Sequence, residues 1–207
     1  MTRRRALVAV ALGAVIAGVV LMHARPGARC PLAASDPNAL ESSRRAAVLS
    51  LRGEGAAPSR RALGFAMEAT AAGEVQAWAI ARGGACTREL AGAALHCEHV
   101  GDEAGAIRDL YARFDPKGVL VALDLVRPSP SAGDAAARFA KIEAAIARDL
   151  GAPQQVFGEP TEDFLSRAPL RQAIARHRFA DFAADVSATS FADEVVVREQ
   201  YRAIPRG

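Results

Sequence analysis

The stretch AIRDLYARFDPKGVLVALDLV, from Ala106 to Val126, reads as two strands joined by a tight turn. Ala106, Arg108, Leu110, Ala112 and Phe114 alternate with Ile107, Asp109, Tyr111 and Arg113, the period of a strand with two unlike faces. Asp115-Pro116-Lys117-Gly118 is the turn. Proline presets its first bend, and glycine supplies the positive φ that follows. Val119 to Val126, rich in Val and Leu, returns antiparallel. Upstream, Leu95, Cys97 and His99 alternate with His96, Glu98 and Val100, and Gly101-Asp102-Glu103 turns the chain. The expectation is a three-stranded antiparallel meander.

Helical signals flank the meander. Pro128-Ser129-Pro130 breaks the third strand, and Ser131 to Asp134 opens a helix. Ala135, Phe139, Ile142, Ile146 and Leu150 then fall at spacings of three and four, one apolar stripe that ends at Gly151. Asp36-Pro37 opens an earlier helix that runs to about Leu51. Thr70 is a cap for a second helix with Glu74 in its first turn and Gly83-Gly84 at its end. Val75, Trp78, Ala79 and Arg82 share one of its faces. Trp78 and Phe139 read as core anchors, because 48 alanines leave the core short of large side chains. Gln154 to Ala168 reads as a loop with a short helix from Thr161.

Arg178 to Ser190 alternates again, with Ala180, Phe182, Ala184, Val186 and Ala188 opposite Asp181, Asp185 and Ser187. The polar side reads as a solvent face or a polar binding face that meets Glu199 on a last strand, Val195 to Tyr201. His177 reads as a surface residue between two arginines. Short turns rather than helical crossovers join the strands. The fold class is therefore α+β: an N-terminal membrane helix, then an antiparallel β-meander and hairpin packed against two or three helices.

The net charge of +3 over 207 residues is misleading. Arg3, Arg4, Arg5 and Arg25 give residues 1–25 a charge of +4 with no acid, so the rest carries −1. The folded part lacks the basic balance that nucleic-acid binding wants. Behind the three arginines, Ala6 to Met22 is an unbroken run of 17 apolar or Gly residues. As a helix it is roughly 25 Å long. Arginines on that side hold the N-terminus in the cytoplasm. Residues 1–25 are expected to be a signal anchor, or a signal peptide cleaved after Ala24 or Ala28, and 26–36 a linker. Residues 37–207 form a periplasmic domain, with halves 60–127 and 131–207. The expected location is the inner membrane, crossed once, or the periplasm if the segment is cleaved. Arg29 before Cys30 argues against a lipoprotein, and an ordinary positive stub explains the arginines better than a twin-arginine signal.

Thr70-x-x-x-Glu74-Val75, Phe114-Asp115-x-x-Gly118 and Leu150-Gly151-x-Pro153 together resemble the small outer-membrane-assembly lipoproteins of the BamE type. The β-lactamase-inhibitor proteins double such a helix-plus-sheet unit, and residues 70–126 and 134–203 are similar to two copies of it. The likeness spans about 130 residues. It implies a non-catalytic, envelope-facing binding module and assigns no functional residue.

Motifs for catalysis are missing from the chain: there is no G-x-S-x-G, H-E-x-x-H, C-x-x-C, phosphate loop or G-x-G-x-x-G. The acid pairs Asp102-Glu103, Glu162-Asp163 and Asp193-Glu194 read as solvated turn or cap residues. Export places the three cysteines in an oxidising compartment, where Cys86 and Cys97 are expected to pair. Cys30 is then the odd thiol, free or linking two chains. Cys97 and His99 on one strand, with Cys86 as a third ligand, would instead suit zinc. Two functions follow. One is a membrane-tethered, non-catalytic binding or envelope-assembly module with a protein partner and no cofactor or metal. The alternative is a metal-dependent hydrolase with its site near Cys97 and His99.

Overall fold

A computed structural model of the chain describes residues 37–205. The run Ala6–Met22, the linker and Cys30 lie outside the described residues. Among those described, no helix is long and apolar enough to cross a membrane. The chain divides into two units, residues 1–46 and 47–207. Helix α1 (Pro37–Leu49) begins in the first, and every other element belongs to the second.

The second unit is α+β, built on one antiparallel sheet of eight strands. A small hairpin, β1 (Arg61–Ala62) and β2 (Phe65–Ala66), precedes α2 (Ala72–Ile80). Four strands follow: β3 (Ala85–Glu89), β4 (Ala94–Val100), β5 (Ile107–Phe114) and β6 (Leu120–Ser129). Then come α3 (Ala132–Leu150), β7 (Gln155–Phe157), α4 (Glu162–Ser166), β8 (Gln172–Arg178), β9 (Phe182–Ser190) and β10 (Val195–Ala203). The order across the sheet is β3-β4-β5-β6-β10-β9-β8-β7. A helix and four strands thus occur twice, the second time with the short α4 after the first strand, and the two sets meet last strand to last strand.

The hairpin between β5 and β6 closes as its sequence dictates. Gly118 has φ 78° and donates its N–H to Asp115 O, while Asp115 Oδ1 accepts from Lys117 and Val119 N–H. The α3 stripe is buried in full, from Ala135 and Phe139 to Leu150. Its cap is Ser131, which accepts from Asp134 N–H. Burying each large apolar side chain of that stripe stabilises the fold by about 1.5–3 kcal/mol. Val75 and Ala79 of α2 enter the same core. Trp78 is only half-buried; it packs edge-on against Phe65 at 5.4 Å, and the Arg82 guanidinium lies over its ring at 4.3 Å.

Several expectations need correction. Strands β3, β7 and β8 enlarge the expected meander and hairpin. The strand read over Arg178–Ser190 instead breaks at a turn, so that Arg178 ends β8 and Phe182 opens β9. The Thr70 hydroxyl caps no helix, because it accepts from Ala66 N–H in the preceding turn. Ala71 occupies the cap position, and Glu74 reaches back to its N–H at 2.7 Å. His99 adopts φ 56°, which turns β4 over at that point. Val100 and Ile107 consequently enter the core, and Arg108 faces out.

Candidate functional site

The pairing register sorts the sheet into two faces. One row runs Cys86, Cys97, Leu110, Leu125, Glu199, Val186 and Ala175 from β3 to β8. The next runs Leu95, Ala112, Leu123, Tyr201, Ala184 and His177. These rows lie under α2 and α3. The alternate rows form the open face. One is His96, Tyr111, Asp124, Gln200, Asp185, Arg176 and Gln155; the other is Glu98, Asp109, Val126, Arg198, Ser187, Ile174 and Phe157.

The covered face holds a buried polar network at the β6–β10 seam. Arg127 is 0% exposed. It donates from Nε to Glu199 Oε1 at 2.6 Å, from Nη2 to Asp102 Oδ2 at 2.6 Å, and from Nη1 to Gly105 O. The Tyr201 hydroxyl donates to Glu199 Oε2 at 2.8 Å. Burial, and then the Glu199 carboxylate, push the Tyr201 hydroxyl well above its ordinary range, so it stays a donor. The network floors a cleft of about 550 Å³ walled by Trp78, Ile142 and Arg148. Each of the three Arg127 nitrogens holds an acceptor, so the group ties strand to loop. Glu199 therefore faces away from Asp185 and Ser187, because it pairs with Val186 in register. Asp102 is likewise a network member rather than a solvated turn residue.

The open face is polar with exposed aromatics. Asp124 receives Arg198 Nε at 2.7 Å and the amide of Gln200 at 3.1 Å, and Arg202 lies 3.5 Å away. Asp185 is held by Arg178. Ser187 stands beside it, whereas Asp181 lies in the β8–β9 turn, where it accepts from Ala57 N–H at 2.9 Å. A groove of about 570 Å³ runs between Ile174, Val196, Phe191, Arg198 and Glu194. Among the described residues the exposed aromatics are Tyr111, Phe157 and Phe191, and all three lie on this side. Arg176 stacks over Phe157 at 5.0 Å.

The cysteine and histidine positions separate. Cys86 and Cys97 are direct cross-strand partners with Cα atoms 4.0 Å apart and sulfurs at disulfide distance. Cys97 is buried on the covered face, and His99 is exposed beyond the twist of β4, so the structure does not bring them together. It brings together His96, Glu98 and Asp109 on the open face, whose ligand atoms lie within 4.8 Å of one another. Sequence reading missed this group because Asp109 is contributed by the neighbouring strand. His177 is also misplaced by the sequence: it is 0% exposed, aligned with Ala173 and Ala175 under the helices. Burial pulls its pKa below the usual value, Asp185 opposes that shift, and Arg178 adds to it.

No protein-family model, curated protein or solved structure matches the chain.

Proposed function

We propose that the chain is a membrane-tethered extracytoplasmic module that binds a protein partner, in envelope assembly or a similar role, without catalysing a reaction. The carrying observation is the open sheet face, where Tyr111, Phe157 and Phe191 stand exposed among arginines held by carboxylates. Aromatic residues and arginine are the side chains enriched where proteins bind one another, and apolar contact between them supplies the affinity. The other large cleft ends on a network whose charges already satisfy one another, which suits a structural role. The anchor before the domain would keep such a surface at the membrane, and an oxidised Cys86–Cys97 pair suits the periplasm.

Photo-crosslinking in intact cells tests this reading. A crosslinker at Phe191 or Phe157 of the full chain should give a discrete protein adduct. The same group at Arg148, exposed on the helix side, should give none. Adducts from Arg148 alone would move the partner to the helices and overturn the assignment of the open face.

A further inference from the structure

We propose that His96, Glu98 and Asp109 form a divalent transition-metal site of the zinc class on the open face, beside Tyr111. His96 and Glu98 are two apart on β4, so both side chains rise from the same side, and Asp109 on β5 is the direct partner of Glu98. His96 Nε2 and Asp109 Oδ1 are 3.2 Å apart. Neighbouring ligand atoms of a tetrahedral zinc stand roughly 3.3 Å apart, given bonds of about 2.0–2.1 Å. Glu98 is exposed and free to rotate toward the same point. Two carboxylates directly opposed across strands repel each other, so Glu98 and Asp109 gain from a cation between them. One neutral imidazole and two carboxylates balance a divalent charge, and the mixed N/O set favours zinc over calcium.

The surroundings orient these groups as they would for a metal. The His96 ring is stacked on Tyr111 with centroids 4.3 Å apart and planes 6° from parallel. Glu89 Oε1 lies 4.0 Å from Nδ1, so a further carboxylate stands beside the ring. Arg108 Nε holds Asp109 Oδ2 at 3.0 Å, which aims Oδ1 at His96. The rival for the same geometry is a protonated His96 paired with Asp109 and no metal.

The full chain, purified in detergent with Cys30→Ser to remove the odd thiol, is stripped with chelator and titrated with zinc chloride by calorimetry. Cobalt(II) is then added and followed by visible absorption. One zinc per chain should bind with micromolar affinity, and the cobalt spectrum should show d–d bands without thiolate charge transfer. His96→Gln and Glu98→Gln should each weaken binding by at least about tenfold, while His99→Gln leaves it unchanged. Because Glu98 is exposed, its variant keeps the fold, which circular dichroism checks. No saturable zinc binding would show an ion pair only and overturn the site. So would binding that both substitutions leave intact, or a thiolate band, which would return the metal to Cys97.

Discussion

Two arginine–carboxylate pairs join the same two strands, β6 and β10, on opposite faces of the sheet. Arg127–Glu199 lies under the helices, with both side chains almost fully buried. Arg198–Asp124 lies on the open face, and the Arg198 side chain is 48% exposed. The chemistry is the same, and water decides its consequence. Under the helices each charge has lost its hydration and depends on its protein partners. On the open face Arg198 stays in contact with water, which screens it, while Asp124, though 7% exposed, keeps Gln200 and Arg202 as further partners. The covered face therefore carries the charges on which stability depends most, while the open face keeps the more exposed ones.

Removing the buried charge should cost most. Arg127→Met leaves Glu199 and Asp102 without a counter-charge and is expected to cost about 3–5 kcal/mol in denaturant unfolding. Arg127→Met combined with Glu199→Leu should recover part of that loss. No recovery would mean that the cost is packing rather than stranded charge. Phe139→Ala should cost a similar amount, about 3–5 kcal/mol, against less than about 0.5 for exposed Arg148→Ala.

Reducing the Cys86–Cys97 pair should cost somewhat less. A sequence separation of 11 closes a loop worth about 3 kcal/mol in the chain-entropy description. Melting with and without reductant, on the Cys30→Ser chain, reads the difference.

His177 gives a pH dependence on the covered face. Its ring nitrogens have no hydrogen-bond partner among the described residues. Burial holds the ring neutral in the folded state, with a pKa below the ordinary 6.5, while the unfolded chain takes up a proton near that value. The contribution is fully present above pH 6.5 and is lost as pH falls below it toward the folded pKa, at up to about 1.4 kcal/mol per pH unit. Unfolding curves at several pH values should show this slope, and His177→Leu should flatten it. Arg198→Ala should have the smallest effect on stability, about 0–1 kcal/mol, yet it should reduce crosslinking from Phe191. A large loss of stability with crosslinking unchanged would erase the contrast between the faces.

Local signals carried much of this structure. The α3 stripe, the Asp115–Gly118 turn and the Thr161 cap, which accepts from Phe164 N–H, each depend on residues within a few positions of one another. The strands that escaped notice lacked such a pattern. Ala85–Glu89 has little burial to alternate, and Gln155–Phe157 is short and exposed. In β8, Arg176 and Arg178 obscure that His177 continues the inward row of Ala173 and Ala175. Of the candidate groups, Cys86 and Cys97 stood out by residue type, whereas Asp109 looked like any polar strand residue.

The sequence alone determined the elements bound by neighbouring residues: the Asp115–Gly118 turn, the Ser131 and Thr161 caps, the apolar stripe of α3, and the alternation of β9 and of β5 from Leu110 to Phe114. It also determined that the charge of residues 26–207 is close to balanced. Only the tertiary structure decided which residues meet across strands far apart in the chain. A register shifted by one residue moves every side chain of a strand to the other face. The β6–β10 and β9–β10 registers put Glu199 with Arg127 rather than with Asp185. The β4–β5 register put Asp109 beside Glu98 and within reach of His96. That choice rests on the summed burial of whole strands against α2 and α3, a quantity that no window of sequence contains.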